Sequence, residues 1–125
     1  MHEMGIANSI LVAVAKELRR HPGSHASKVG VRIGELAAVD PESLQFCFEA
    51  MTRETEFESL VLQVEFIPRR HRCGGCGKEF EVHDYEFECP QCRSFAFECV
   101  AGEELDLSYI EVEDIGENSV GTKSP

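Results

Sequence analysis

The sequence has no tryptophan, two tyrosines, few basic residues and no long apolar segment. A membrane-spanning helix needs about 18 or more consecutive apolar residues, and no stretch of this chain approaches that length. The amino terminus also lacks the basic segment of a secretory signal peptide, since Glu3 stands where positive charge is expected. We therefore expect a cytoplasmic protein that does not associate with membranes.

Basic residues are scarce relative to acidic ones. The 12 lysines and arginines face 23 aspartates and glutamates, which gives a net charge of −11. Nucleic-acid binding needs a cationic surface that displaces counterions from phosphates. The composition therefore disfavours a nucleic-acid partner and suits a protein partner or a metal cation.

Two segments have the apolar spacing of amphipathic helices. The first spans residues 4–20, is ended by His21-Pro22-Gly23, and has a predicted buried stripe at Met4, Ala7, Leu11, Val14 and Leu18. The second begins at Pro41, with Asp40 as its N-cap. Its apolar positions are Leu44, Cys47, Phe48 and Met51, so we expect the Cys47 thiol to lie in the core.

Three segments are predicted strands. Residues 28–36 alternate between apolar and polar positions, residues 60–67 carry apolar residues on both faces, and residues 105–115 form the third. The two-faced pattern predicts that 60–67 is the central strand. The fold class is therefore α+β, with two helices packed on a small three-stranded sheet. This domain comprises residues 1–70 plus 101–115, and the polar residues 116–125 are predicted to form a disordered tail.

Residues 71–100 form an insert between the second and third strands. It contains two C-x-x-C pairs separated by 12 residues, and its cysteines at these positions are Cys73, Cys76, Cys89 and Cys92. Two thiolates two residues apart in a tight turn can meet one tetrahedral ion, and glycines permit such turns. The spacing predicts a zinc-ribbon insert with a structural four-cysteine Zn(II) site, joined by a hairpin over residues 79–88.

Other thiol and imidazole groups accompany these cysteines. We predict that Cys99, which lies outside both pairs, is a packed or partly exposed thiol rather than a ligand. His71 and His83 are interpreted as ordinary residues of the insert, with a role as auxiliary ligands as the alternative. His21 and His25 are expected to be solvated.

The opening residues, Met1-His2-Glu3, place three nitrogens in consecutive chelate positions: the terminal amine, the His2 amide and the His2 imidazole. Amide deprotonation needs a strongly polarising ion that favours a planar nitrogen field, which suits Ni(II) or Cu(II) but not Zn(II). The Glu3 amide or another side chain would complete the plane. An ordinary surface histidine remains the alternative interpretation.

Motifs of enzymes are missing from the sequence. Ile6 stands where an H-E-x-x-H zinc-protease motif would need its second histidine. There is no phosphate loop, no Gly-x-Ser-x-Gly and no convincing Cys-His nucleophile pair. We therefore expect that the protein is not an enzyme.

Three segments together resemble the HypA/HybF family of hydrogenase maturation proteins. They are MHEMGIANSI, VGVRIGELAAVDPESLQFCFEAM and the paired C-x-x-C insert, and the resemblance covers residues 1 to about 115. It implies a nickel metallochaperone that delivers Ni(II) to the large subunit of [NiFe]-hydrogenase with a HypB-type GTPase, and that in some organisms also serves urease. By this resemblance His2 is the nickel ligand, with the Met1 amine and Glu3 in support, and the paired cysteines hold structural zinc.

Three other functions compete with nickel delivery. A zinc-ribbon adaptor would bind proteins and carry no transported metal. A rubredoxin-like electron carrier would hold iron between the four thiolates, and a ribbon that binds nucleic acid is disfavoured by charge. The sequence also leaves open a homodimer formed by domain exchange.

Overall fold

The computed structural model describes residues 2–114. Met1 and the predicted tail, 116–125, lie outside this range. The described chain contains two α-helices, α1 (Glu3–Leu18) and α2 (Pro41–Thr52), and a short 3-10 helix, Glu35–Ala37. Its strands are β1 (Ser24–Gly34), β2 (Val61–Ile67), β3 (Arg70–Cys73), β4 (Glu79–Glu81), β5 (Phe97–Ala101) and β6 (Leu105–Asp114). The predicted α+β class is confirmed, and within residues 2–114 no helix is long and apolar enough to cross a membrane.

The strands form two three-stranded sheets, ordered β2-β1-β6 and β4-β3-β5. In the first sheet β1 is central, so the prediction that residues 60–67 form the central strand is wrong. The physical reason is that Leu62 is buried whereas Val61 and Phe66 are about half exposed. Apolar residues on both faces of β2 therefore do not mean that both faces are covered.

The described chain forms two compact units. The first comprises the chain up to Val31, then Val39–Val64, then the chain from Leu107. The second, called here the cysteine unit, comprises Arg32–Ala38 and Glu65–Asp106. All of the predicted insert, residues 71–100, lies in the cysteine unit.

Helix α1 buries a different face from the predicted one. Its buried residues are Ile6, Ala7, Ile10 and Val14, whereas Met4 is 52 % exposed. The helix carries apolar residues on several sides, so the spacing of three and four fits more than one stripe. The buried stripe begins at Ile6 rather than at Met4, about half a turn further around the helix. It shares only Ala7 and Val14 with the predicted stripe.

Helix α2 begins as predicted. The Asp40 side chain accepts a hydrogen bond from the Glu42 backbone N–H, and Pro41 occupies the first turn. Such a cap contributes about 1 kcal/mol to helix stability. Cys47 is only half buried, because the buried side of α2 is formed by Leu44, Phe48 and Thr52.

The sheet of the cysteine unit is centred on β3, which pairs antiparallel with β4 and with β5. The predicted hairpin over residues 79–88 is therefore wrong: β4 ends at Glu81 and pairs with a preceding strand. Asp84 and Tyr85, the next turn residues, have positive φ angles of 52° and 65°. A left-handed turn at this point ends the extended alternation that the sequence suggested.

Residues 32–38 join the cysteine unit through backbone hydrogen bonds. The Gly34 N–H donates to the Glu104 carbonyl and the Leu36 N–H to the Gly102 carbonyl, both at 2.7 Å. The Glu35 carboxylate also accepts from the Arg69 N–H at 2.9 Å. A Cβ added at Gly34 would lie 2.1 Å from the Gly102 carbonyl oxygen, so this approach requires glycine.

Candidate metal centre

The four paired cysteines converge on one point. Their Sγ atoms all lie within 4.8 Å of one another, and this is the one group of metal-ligating side chains found within residues 2–114. Cys73 and Cys92 are 3.4 Å apart and Cys76 and Cys89 are 3.7 Å apart, measured between sulfurs. A tetrahedral ion with zinc–sulfur bonds of about 2.3 Å separates its sulfurs by about 3.8 Å. The spacing of the sulfurs therefore fits a single Zn(II) ion.

Two similar turns place the sulfurs. In the first, the Gly77 N–H donates to the Cys73 carbonyl at 3.0 Å; in the second, the Arg93 N–H donates to the Cys89 carbonyl at 2.9 Å. Both donors have left-handed φ angles, 80° for Gly77 and 69° for Arg93. The second turn thus places an arginine where the first uses glycine, in a conformation that costs a residue with a Cβ about 1 kcal/mol or more.

Backbone amides surround the first sulfur of each pair. The N–H groups of Gly75 and Cys76 point to Cys73 Sγ at 3.2 and 3.4 Å. Those of Gln91 and Cys92 point to Cys89 Sγ, each at 3.4 Å. Donors aimed at sulfur favour the thiolate, which is the form that binds metal.

The same contacts shift the ionisation of the thiols. The Cys76 and Gly75 amides lower the pKa of Cys73 to about 6, and the Cys92 and Gln91 amides lower the pKa of Cys89. For Cys92 the Ser94 amide favours the thiolate, but the bond to Cys73, burial and the other thiols outweigh it and raise its pKa to about 12. Four thiolates this close repel one another. A divalent metal ion between them would supply the positive charge that compensates this repulsion.

An apolar cluster lies behind the sulfurs. It contains Cys73, Phe80, Val82 and Cys89, with Phe87 packed against it. Metal binding and burial of this small core are therefore coupled, because two of the ligating residues are also core residues. A segment of this size has too little apolar surface to fold stably without such a link.

His71 belongs to this interior rather than to the metal. It is fully buried, and its ring stacks on Phe97 with 4.0 Å between centroids. The Arg69 Nε donates to His71 Nε2 at 2.9 Å, so Nε2 acts as acceptor and the proton resides on Nδ1, which has no partner within the described residues. Burial, followed by the Arg69 charge, lowers the pKa of His71. The ring is thus neutral and part of an aromatic stack.

Helix α1 begins immediately after His2. His2 is the N-cap, with extended backbone angles, an exposed side chain and no capping bond from that side chain. Its carbonyl accepts from the Ile6 N–H at 3.1 Å. The His2 amide precedes the helical hydrogen-bond ladder, so neither this nitrogen nor the imidazole is needed to hold the helix. Met1, the third predicted contributor, lies outside the described residues.

Glu3 is engaged with the second helix. Its Oε2 accepts from the Asp40 backbone N–H at 3.1 Å, and this bond lowers the pKa of Glu3. The bond joins the residue that starts α1 to the residue that caps α2. The family resemblance implies that Glu3 supports the metal, but it gives no sign of this bond. The bond pairs two polar residues 37 positions apart, so the sequence around Glu3 carries no local signal for it.

The remaining thiols and imidazoles lie apart from the four sulfurs. The Cys99 thiol is half buried and donates to the Ala101 carbonyl at 3.3 Å, in agreement with the prediction of a packed or partly exposed thiol. His21, His25 and His83 have side chains that are 45 % to 71 % exposed and lie near carboxylates.

The comparisons with known proteins point to one family. Residues 1–112 match the family profile described as "HypA: Hydrogenase/urease nickel incorporation, metallochaperone, hypA". The hydrogenase maturation factor HypA of Pelodictyon phaeoclathratiforme is 43 % identical over 117 residues, which cover 94 % of this chain and 100 % of the relative. That of Geobacter metallireducens is 41 % identical over 113 residues, covering 90 % and 100 %.

A solved structure has the same fold. The solution structure of the Ni metallochaperone HypA from Helicobacter pylori aligns with a TM-score of 0.60 at 22 % identity, covering 91 % of this chain and 99 % of that one. A second HypA solution structure gives a TM-score of 0.64 at 22 % identity and covers 89 % and 95 %.

Proposed function

The chain belongs to the HypA family of hydrogenase maturation factors, and from this premise we propose that it binds Ni(II) at its amino terminus and delivers it for the maturation of [NiFe]-hydrogenase. The four cysteines hold a resident Zn(II), and the nickel is the transported ion. The observation that carries this proposal is the position of His2, exposed and directly before a rigid helix.

The two sites differ in the way that a carrier requires. Four thiolates in a closed set leave no open coordination position, so they retain their ion and stabilise the fold. A site made of the Met1 amine, the His2 amide and the His2 imidazole lies at the chain end, where an incoming ligand can reach it. Glu3 supports this site by holding the start of α1 to Asp40 rather than by ligating the ion.

The assignment of zinc rather than iron to the four cysteines can be tested separately. A rubredoxin-like carrier would hold iron in the same sulfurs and would be coloured and redox-active as isolated. We propose one zinc per chain and a colourless protein. Metal analysis of protein purified from cells, without added metal, tests this directly.

The proposed partners follow from the family. They are a HypB-type GTPase and the large subunit of hydrogenase, and in organisms that have urease its accessory proteins as well. The proposed location is the cytoplasm, where such enzymes are assembled. A zinc-ribbon adaptor without a transported metal is the alternative function.

Nickel titration of the zinc-loaded full chain separates these functions. Wild type should bind one additional Ni(II) per chain with the d–d spectrum of a planar, diamagnetic ion, and His2→Ala should lose this band. His25→Ala is the matched control, because it removes another half-exposed imidazole and should leave nickel binding unchanged.

Specific results of the nickel titration would contradict the proposal. Unchanged nickel binding in His2→Ala, or nickel bound only with loss of zinc, would contradict the assignment to the amino terminus. A protein that binds no nickel at all would favour the adaptor. An added amino-terminal residue should weaken nickel binding as His2→Ala does, because it displaces the amine from its chelate position.

A further inference from the structure

The cysteine unit carries a surface groove that neither metal site explains. Its volume is about 310 Å³, and it lies along the turn before the second cysteine pair and the segment after it. Its lining residues are Tyr85, Glu86, Phe87, Glu88, Cys89, Pro90, Arg93 and Phe95. Aromatic rings and carboxylates thus meet in one concave surface.

Two aromatic side chains of the groove are exposed. Tyr85 is 84 % exposed and Phe95 is 70 % exposed, although each could have been buried in an aromatic-rich unit. The Tyr85 ring makes one edge contact, with Phe87, at 6.2 Å between centroids. Exposed aromatic rings gathered in a concave surface are typical of surfaces that bind a partner.

The backbone conformation that places Tyr85 in this position is strained and costs free energy. Asp84 and Tyr85 form a left-handed turn closed by the Glu86 N–H, which donates to the His83 carbonyl at 2.9 Å. Neither residue is glycine, and a bulky residue with positive φ is a true outlier. The turn is outside the metal ligands and the apolar cluster behind them, so this cost is not required by zinc binding.

The charged residues that line the groove are Glu86, Glu88 and Arg93, which leaves one net negative charge. The Arg93 guanidinium is neutralised by Glu88 at 3.1 Å. Glu86 and the adjoining Asp84 have no ion-pair partner among residues 2–114. A cation is the complementary ligand, and a nucleic acid is not.

The cysteine unit already contains one contact between a cationic side chain and an aromatic ring. The Arg69 guanidinium lies over the Phe87 ring, with 4.8 Å from its carbon to the ring centroid. Phe87 is also part of the groove lining. A guanidinium on an aromatic face is therefore an arrangement that this part of the molecule already contains.

We propose that this groove binds an arginine or lysine side chain from a segment of a partner protein. The aliphatic stem lies across Tyr85 and Phe95, and the charged head is near Glu86. The acidic chain, with a net charge of −11, is itself a poor source of such a segment, so the occupant is a different protein. The inference does not depend on nickel binding.

The test is an NMR titration of the zinc-loaded full chain with two short capped peptides. One has a central arginine between leucines, and the other has uncharged citrulline at that position. The arginine peptide should give saturable shifts at the amides of Tyr85, Glu86 and Phe95, and the citrulline peptide should bind about tenfold more weakly.

Variants identify the contacts. Tyr85→Ala and Glu86→Gln should each weaken binding of the arginine peptide by about fivefold or more. Phe46→Ala is the matched control, since Phe46 is a 73 % exposed aromatic residue on α2, and it should have no effect. Zinc content, measured for each variant, shows that the cysteine unit is intact, and Phe95→Ala replaces Tyr85→Ala if the latter loses zinc.

Three results of the peptide titrations would overturn the proposal, and one result without peptide would do so as well. The first is equal binding of both peptides, the second is shifts that map outside the groove or do not saturate, and the third is loss of binding in Phe46→Ala alone. Shifts of the groove amides with protein concentration alone would identify a second copy of the chain as the occupant and would also overturn it.

Discussion

At the scale of single residues, Glu3 has the most consequential contact. Its carboxylate accepts from the Asp40 amide, so the residue beside the proposed nickel ligand also orients the start of α1. A carboxylate at the first turn of a helix is additionally favoured by the helix dipole. Glu3 therefore has a structural role before any metal arrives.

This contact predicts a pH dependence with a definite sign. Because the pKa of Glu3 is lowered from its ordinary value of 4.5, its contribution to stability is present above that value and is lost as the pH falls through the lower, folded value. The stability difference between wild type and Glu3→Gln should be constant above about pH 5 and narrow below it. Denaturant unfolding of both proteins from pH 3 to 7 measures this.

Glu56→Gln is the control for that experiment, since it removes one negative charge from an exposed loop of an acidic chain. If its difference from wild type followed the same pH profile as that of Glu3→Gln, the effect would come from overall charge. A direct titration of the Glu3 carboxyl by NMR that gave a pKa at or above 4.5 would contradict the hydrogen bond.

At the scale of elements, the two cysteine turns differ at their fifth residue. Gly77 and Arg93 make equivalent bonds in left-handed conformations, but only Gly77 adopts that conformation without strain. The Arg93 side chain lies in the groove described above and pairs with Glu88. The second turn therefore retains a side chain where glycine would be easier to accommodate.

This difference predicts the order of two variants. Arg93→Gly and Arg93→Ala both lose the pair with Glu88, so the comparison between them isolates the backbone. The glycine variant should have a free energy of unfolding higher than the alanine variant by about 1 kcal/mol. Thermal and denaturant unfolding of the zinc-loaded proteins provides the measurement.

Gly77→Ala gives the matching comparison in the first turn. A Cβ at Gly77 meets nothing within 4 Å, so any loss of stability comes from the φ angle of 80° and not from a clash. It should destabilise the protein by about 1 kcal/mol. Equal stabilities of Arg93→Gly and Arg93→Ala would show that the second turn relaxes and stores no strain.

Local signals in the sequence predicted the elements but not their arrangement. The cap at Asp40 and the cysteine spacing were correct because each depends on residues close in sequence. The order of strands depends on which faces are covered, and β2 shows that apolar residues alone do not determine it. The sequence also could not predict that His71 is buried in an aromatic stack, because its stacking partner, Phe97, is 26 residues away.

At the scale of the whole molecule, two units share one chain, and only one of them contains the four sulfurs. The core of the cysteine unit includes two of the ligating residues, Cys73 and Cys89. The first unit has its own core, built on α1, α2, β1 and β2. The two cores should therefore respond differently to loss of metal.

The corresponding prediction concerns Cys73→Ser. It should abolish zinc binding and reduce the amide protection of residues 71–100 to nearly that of an unfolded chain, while α1 and α2 remain protected. Hydrogen exchange with mass spectrometry resolves both regions. Cys99→Ser is the control, because that thiol is half buried and is not among the four. Loss of protection throughout the chain would show that the first unit also depends on zinc.

The backbone bonds made by residues 32–38 have a practical consequence for dissecting the protein. A recombinant fragment cut at positions 65 and 106 would contain all four clustered cysteines. It would lack the Glu35 carboxylate, which accepts from the Arg69 amide, and the amides that donate to the Gly102 and Glu104 carbonyls. Those backbone groups would form hydrogen bonds with water instead. The fragment would therefore bind metal with lower affinity than the same residues do in the intact chain. An independent version needs both pieces, with a short synthetic link in place of residues 39–64.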